Sequence, residues 1–143
     1  MSDATANKKI VRDFYESYNA KNLDDTWKRF IAANLSNHAM GGAFDANAWR
    51  EMDKSLFGGF ADFSLQVLDQ VAEGDKVATR YTLGGTHTGA FAGIPASGVV
   101  ARLSATSVDR VASGKIVEHW TDLDLTAFMQ ALAKPAKSHA AGH

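Results

Sequence analysis

Apolar residues recur with a helical period through the first sixty positions of the chain. The spacing i, i+3, i+4, i+7 is typical of a helix with one buried face, and it occurs in three segments. The apolar positions of these predicted helices are Val11, Phe14, Tyr15 and Tyr18, then Leu23, Trp27, Phe30 and Ile31, then Trp49, Met52, Leu56 and Phe57. Asn22 or Asp24 can cap the second helix and Asp45 the third. We expect residues 34–44, between those two helices, to form a loop.

After Phe60 the period of the apolar residues changes from helical to two, which is typical of strands. The alternation predicts strands at about 65–71, 77–83, 99–111 and 116–123. Turn residues lie at 73–75 and 112–114, and turns as short as these impose antiparallel pairing on their neighbours. A few apolar residues after position 124 allow a closing helical turn.

Helices first and strands afterwards indicate an α+β fold rather than an alternating α/β one. We predict a single domain over residues 1–133, a cone made of a curved antiparallel sheet with three N-terminal helices packed on its concave side. The open end of such a cone is a natural ligand pocket. Residues 134–143 carry no apolar pattern and are predicted to be a disordered tail.

The composition is that of an ordinary globular domain and excludes several classes of protein. Hydrophobic residues make up 45% and charged residues 22% of the 143 positions, so one core can form without disulfides or a structural metal. The formal net charge is −1, without the basic excess that is usual in nucleic-acid binders. The chain has no cysteine, which excludes disulfides, thiolate metal sites and cysteine nucleophiles. No run approaches the roughly 20 apolar residues of a membrane-spanning helix and no secretory signal is recognisable, so we expect a cytoplasmic protein that binds no membrane.

Two aspartates at the end of the last predicted strand are candidates for acid/base chemistry. Asp122 and Asp124 are two positions apart, and side chains at that spacing point to the same face of a strand. If that face lines an apolar pocket, one of these carboxyl groups is suited to proton transfer near neutral pH. Trp120 shares the face and could line the pocket against a flat ligand. The alternative is that both aspartates cap the helical turn that follows and that Trp120 belongs to the core.

Two histidines and an asparagine are further candidates for the same pocket. His87 lies within the sequence GTHTG at the end of a strand, and histidine titrates near neutrality. Asn37 and His38 follow the second helix and could reach across the pocket mouth. The alternatives are a loop histidine bonded to the backbone and two ordinary turn residues. The five histidines are too scattered to indicate a metal site, and neither a phosphate-binding loop nor a serine-nucleophile elbow is present.

Several blocks of the sequence, by their order and spacing, resemble the SnoaL-like polyketide cyclase family. The blocks are VAEGDKV at 71–77, GTHTG at 85–89, FAGIP at 91–95, RVASGKI at 110–116, and EHW at 118–120 followed by Asp124. The resemblance extends over about residues 9–132 and includes Asn37-His38 and the aromatic run at 57–63. One departure is Ala96-Ser97 after Ile-Pro, where the family often has proline and threonine. That departure lies in the loop at the predicted pocket mouth.

The resemblance implies the cone fold of the nuclear-transport-factor superfamily, a homodimer, and chemistry that needs neither metal nor cofactor. Characterised relatives close a ring by intramolecular aldol condensation, with a pocket aspartate as the acid/base group. The position of this chain that matches that aspartate is Asp124, four residues after Trp120. The resemblance marks His87, Asn37 and His38 as pocket candidates. His87 or Tyr15 would donate hydrogen bonds to the enolate oxygen.

We therefore expect a cofactor-independent acid/base enzyme that acts on a small hydrophobic or carbonyl-bearing molecule, with Asp124 and His87 as catalytic residues. The expected substrate-binding residues are Tyr15, Asn37, His38, Trp49, Trp120 and Asp122. One alternative is an isomerase or epoxide hydrolase of the same fold. The epoxide hydrolase would need one of the strand arginines at 80, 102 or 110 to point into the pocket. The other alternative is a non-enzymatic binding protein, which a cavity without a carboxylate would favour.

Overall fold

The computed structural model describes residues 3–38 and 45–133, which contain four α-helices, one short 3₁₀ helix and five strands. The helices are α1 (Ala4–Ser17), α2 (Leu23–Phe30), α3 (Ala46–Gly59) and α4 (Leu125–Ala133), and the 3₁₀ helix is Tyr18–Ala20. The strands are β1 (Ile31–Asn37), β2 (Ser64–Glu73), β3 (Lys76–Thr86), β4 (Val100–Ala112) and β5 (Lys115–Leu123). This element order confirms the predicted α+β class. The predicted tail at 134–143 lies outside the described residues.

The five strands form one mixed sheet in the order β1-β5-β4-β3-β2. The three pairs formed by β2 to β5 are antiparallel, as the short turns predict for β2–β3 and for β4–β5. Strand β1, however, runs parallel to β5, with Asn37 opposite His119. The expectation of a wholly antiparallel sheet, and of a loop from residue 34, is therefore corrected at β1. Only the two ends of this edge strand are buried, so its sequence lacks the alternation that marks a strand.

The core lies between the helices and one face of the sheet. Along β4 every second residue from Ala101 to Val111 is buried, which is the pattern of a strand with one face against a core. Helix α1 packs across β2 and β3, and its Phe14 is fully buried. The ring of Phe14 meets the ring of Trp49 edge to face, with 5.9 Å between the centroids. Helices α1 and α3 are thereby held together over the inner face of the sheet.

Side-chain caps begin the helices at the predicted positions. The Asn22 side chain accepts a hydrogen bond from the Asp25 backbone N–H at 3.2 Å and begins α2. Asp45 accepts from the Ala48 N–H at 2.8 Å and begins α3. Each cap satisfies one of the N–H groups that a helix leaves unpaired in its first turn.

Within the described residues, no helix has both the length and the apolar character that crossing a bilayer requires.

Candidate active site

A cavity that opens to solvent lies between α1, α3 and the inner face of the sheet. Its polar lining consists of Tyr15, Tyr18, Asp53, Tyr81, His119 and Thr121. The rest of the lining is apolar and largely leucine and aromatic side chains, and no lysine or arginine among the described residues contributes to it. Such a cavity, apolar with a few convergent polar groups, is the usual form of a small-molecule site.

Asp53 supplies a carboxyl group on the helix side of the cavity. It lies one turn after Trp49 on the inward face of α3 and is 8% exposed. Burial raises the pKa of Asp53 from 3.8 to about 7, and a hydrogen bond from the Tyr18 hydroxyl partly opposes this rise. A carboxyl group with this pKa exists in both protonation states near neutral pH. Asp53 can therefore accept or release a proton under those conditions.

Asp109 and His119 form a second buried polar pair on the sheet side. They lie opposite each other in the β4–β5 ladder, with 2.6 Å between Asp109 Oδ1 and His119 Nδ1. The Tyr15 hydroxyl donates to the other carboxylate oxygen, Oδ2, at 2.6 Å. The Trp49 ring stacks on His119, with 4.0 Å between centroids and 12° between the planes. These contacts fix the position and the orientation of the imidazole.

A row of hydroxyl groups continues from His119 along the inner face of the sheet. His119 Nε2 is hydrogen-bonded to Thr121 Oγ1, which lies 2.9 Å from Ser107 Oγ. Ser107 Oγ in turn lies 2.7 Å from the Tyr81 hydroxyl. Burial raises the pKa of both Tyr15 and Tyr81, so their hydroxyl groups keep their protons at neutral pH. One wall of the cavity is therefore a continuous network of groups that can donate or transfer protons.

The two aspartates that the strand pattern singled out lie outside this cavity. Asp124 is exposed, and its carboxylate accepts the Ala127 N–H at 2.9 Å, so it caps α4. Asp122 is also exposed and lies on the outer face of β5.

Trp120 lies on the same outer face of β5 as Asp122. The Trp120 ring stacks on His38, with centroids 4.9 Å apart. The register of β5 places His119 and Thr121 inward, so the shared face of Trp120 and Asp122 is the outer one.

His87 is fully buried but does not line the cavity. Its Nδ1 accepts a hydrogen bond from the Ser97 backbone N–H at 3.2 Å, and its ring stacks on Phe60. His87 thus closes the loop that follows β3, which agrees with its alternative interpretation as a loop histidine.

Asn37 is buried at the end of β1, whereas His38 is exposed and bonds Glu118 at 2.9 Å. Of the predicted binding residues, the structure brings Tyr15 and Trp49 together in the cavity.

The three strand arginines that an epoxide hydrolase would need do not line the cavity. Arg80 is exposed and makes two bonds of 2.8 Å to Asp69. Arg102 is exposed and bonds Ser64 at 3.0 Å. Arg110 bonds Glu118 at 2.6 Å.

The described residues contain no group of three or more acidic, histidine or cysteine side chains suited to hold a metal ion.

The sequence interpretation missed Asp53 and Asp109, although each carried a signal. Asp53 interrupts an apolar helical stripe, between Met52 and Leu56. Asp109 has the same strand parity as Leu103, which predicts that both face inward. Charged residues are almost never fully buried unless they are paired. An acidic residue at an inward position is therefore a candidate for function.

Comparison with known proteins gives a consistent result. Residues 8–132 match the family model of SnoaL-like polyketide cyclases. IdmH from Streptomyces antibioticus, provisionally named a polyketide cyclase, is 31% identical at a TM-score of 0.75, over 88% of this chain and 97% of IdmH. AclR from Streptomyces galilaeus, provisionally named a hydroxylase, is 23% identical at a TM-score of 0.84, over 92% of this chain and 98% of AclR. No curated protein matches the sequence.

Proposed function

This chain belongs to the SnoaL-like polyketide cyclase family, and from that premise we propose that it is an acid/base enzyme that closes a ring in a carbonyl compound. The observation that carries the proposal is Asp53, whose pKa burial raises to about 7 in an apolar cavity. On the sheet side His119 lines the same cavity, and the buried Asp109 holds it in place. The provisional naming of IdmH as a polyketide cyclase supports the reaction class.

In the proposed reaction, the Asp53 carboxylate accepts a proton from a carbon next to a substrate carbonyl. The enolate carbon then attacks a second carbonyl carbon of the same molecule, which forms a carbon–carbon bond and an alkoxide. The proton on Asp53 passes to this alkoxide, so product and substrate contain the same atoms. Holding the two reacting ends together is worth roughly 7–11 kcal/mol in ideal cases.

The lining of the cavity indicates the kind of substrate. Leucine and aromatic side chains cover most of the wall, so the body of the molecule should be apolar. The Asp53 carboxyl group in the cavity, with no lysine or arginine in the described lining, disfavours an anionic substrate because like charges repel. We therefore propose an uncharged, largely apolar compound with two carbonyl groups.

The alternatives of the sequence analysis are weakened to different degrees. The outward position of Arg80, Arg102 and Arg110 removes the support that an epoxide hydrolase needs. The carboxyl group of Asp53 in the cavity argues against a purely binding role. An isomerase is the second candidate, because it shares the first proton transfer and then returns the proton to a different carbon.

Exchange of substrate hydrogens with solvent deuterium tests the proposal before the natural substrate is identified. A panel of uncharged, apolar 1,5-diketones is incubated with the protein in D₂O, and deuterium at the carbons next to the carbonyls is followed by mass spectrometry. We expect Asp53→Asn to slow the catalysed exchange roughly 10²- to 10⁴-fold, the range for loss of a general base. Asp122→Asn makes the same chemical change on the outer face and should leave the rate unchanged.

Asp124→Asn, measured in the same assay, separates the two possible bases. We expect the parent rate, because Asp124 is exposed and caps α4. Loss of exchange in Asp124→Asn with full exchange in Asp53→Asn would overturn the assignment of the base. NMR spectra of the products distinguish a ring-closed compound from an isomer with a shifted double bond.

We also propose that the protein is a cytoplasmic homodimer that pairs through the outer face of its sheet. Three large apolar side chains on β2 and β4 support this face, since Leu68, Val71 and Val100 are 45%, 71% and 70% exposed. A dimer that pairs through this face would cover these exposed side chains.

A further inference from the structure

We propose that Tyr81 is a switchable hydrogen-bond donor to the substrate oxygen, controlled by the protonation of His119 through Thr121 and Ser107. The three links of this chain are the hydrogen bonds His119–Thr121, Thr121–Ser107 and Ser107–Tyr81. The hydrogen bond from Tyr81 to an enolate oxygen rests on the proposed function, whereas the coupling of Tyr81 to His119 does not.

Asp109 fixes the His119 end of this chain of hydrogen bonds. Its carboxylate oxygens accept from the Tyr15 hydroxyl and from His119 Nδ1, both at 2.6 Å. An ionised carboxylate can only accept hydrogen bonds, so Nδ1 carries a proton in the neutral and in the charged imidazole alike. Only Nε2 changes its role. It accepts a hydrogen bond in neutral His119 and donates one in the imidazolium.

Neutral His119 orients the chain away from the cavity. Nε2 then accepts the Thr121 proton, and because a hydroxyl has a single proton to donate, Thr121 must accept from Ser107. Ser107 in turn accepts from Tyr81, over the observed distance of 2.7 Å. The Tyr81 proton is thereby committed to Ser107 and is withheld from a bound molecule.

Protonated His119 reverses every link. Nε2 donates to Thr121, Thr121 donates to Ser107, and Ser107 donates to the Tyr81 oxygen. The Tyr81 proton is then available to a substrate oxygen, because Tyr81 lines the cavity, or to the hydroxyl oxygen of Tyr15, a side-chain hydrogen-bond partner of Tyr81. Both directions use the same heavy-atom positions, so the switch requires rotation of hydroxyl groups and no movement of the backbone.

The groups that surround His119 determine how the switch responds to pH. Asp109 faces it from β4, Asp53 from α3, and Tyr15 from α1 through Asp109. Burial raises the pKa of Tyr15, so this hydroxyl does not titrate near neutral pH. Asp53 does titrate there, and its charge acts on His119. The switch is therefore measured most directly in the variant Asp53→Asn.

Fluorine NMR of 3-fluorotyrosine placed at position 81 tests the coupling without any substrate. In the Asp53→Asn background we expect the ¹⁹F resonance to shift with pH at the same midpoint as the His119 ring protons. Ser107→Ala and Thr121→Val interrupt the chain at different links, so the test does not depend on the folding of either one. Each should reduce the ¹⁹F shift at least five-fold without abolishing the pH response of the His119 ring-proton signals, and Thr121→Ser, which keeps the hydroxyl, should restore the ¹⁹F shift.

Two results would overturn the proposal: a ¹⁹F resonance that does not follow His119, or one that follows it equally well after the chain is interrupted. The outcome is separate from that of the proposed reaction. If the resonance follows His119 and no diketone exchanges deuterium, the switch is supported and the cyclase reaction is not. If exchange occurs and the resonance is independent of His119, the cyclase reaction stands and the switch is rejected.

Discussion

Burial of the Asp53 carboxyl group lowers the stability of the folded protein and makes the group suited to proton transfer near neutral pH. Burial raises its pKa from 3.8 to about 7 in the folded chain, while the unfolded chain restores the ordinary value. Between these two pH values the folded state holds a proton that the unfolded state has released, so the free energy of unfolding falls as the pH rises. The full difference corresponds to about 4 kcal/mol. The fold tolerates this cost at the position where we propose that a proton is transferred.

Asp53→Asn should therefore flatten the decline of stability between about pH 4 and pH 7, because an amide does not titrate. Urea unfolding at a series of pH values measures the effect as the difference between parent and variant. Asp122→Asn, on the exposed outer face, should keep the decline of the parent. An equally steep decline in the parent and in Asp53→Asn would show that Asp53 does not titrate with a raised pKa.

Strand β3 shows how a single backbone position shapes an element of the site. Gly84 has φ +144°, and a Cβ atom there would lie 2.1 Å from the Ala101 carbonyl oxygen and 2.8 Å from Arg102 Cα. Both neighbours belong to the backbone of β4 and cannot turn away as a side chain could. The close pairing of β3 and β4 at this point therefore requires glycine. Leu83, the adjacent residue, lines the cavity.

Gly84→Ala should lower the free energy of unfolding by roughly 1–3 kcal/mol or more, from backbone strain and the forced separation of the strands. Gly58→Ala is the matched control, since a Cβ there meets nothing within 4 Å and the residue lies in α3. Alanine favours a helix over glycine by up to about 1 kcal/mol, so the control should be neutral or stabilising. Thermal and urea unfolding report both, and equal stability of the two variants would contradict the argument.

At the scale of the whole molecule, the proposed homodimer would cover exposed apolar side chains on the outer face of the sheet. Val71→Lys places a charge where β2 is 71% exposed in the isolated chain, and burying that charge between two copies is costly. We expect the sedimentation mass to fall from that of a dimer to that of a single chain. Ala20→Lys, on an exposed position after α1, should leave the dimer intact. A monomeric parent, or a dimer that survives Val71→Lys, would reject this interface.

The elements of the fold were predictable because each depends on residues that are close in sequence. Periodicity around Phe14 and Trp49 marks two of the helices, alternation marks the strands from β2 onward, and the cap at Asp45 is a local signal. Strand β1 was not predicted, because an edge strand with an exposed middle needs no apolar pattern. Its pairing with β5 depends on a partner some eighty positions away.

The candidate site was predictable only in part, for the same reason. The sequence by itself determined the fold class, the family resemblance and the aromatic residues Tyr15 and Trp49 that line the cavity. Tertiary structure decided which acidic groups lie at the candidate site, because Asp109 meets His119 only through the register of β4 and β5. In a strand, a shift of one residue exchanges the inner and outer faces. That register places His119 in the cavity and leaves Trp120 on the outer face of the sheet, and no local pattern contains this information.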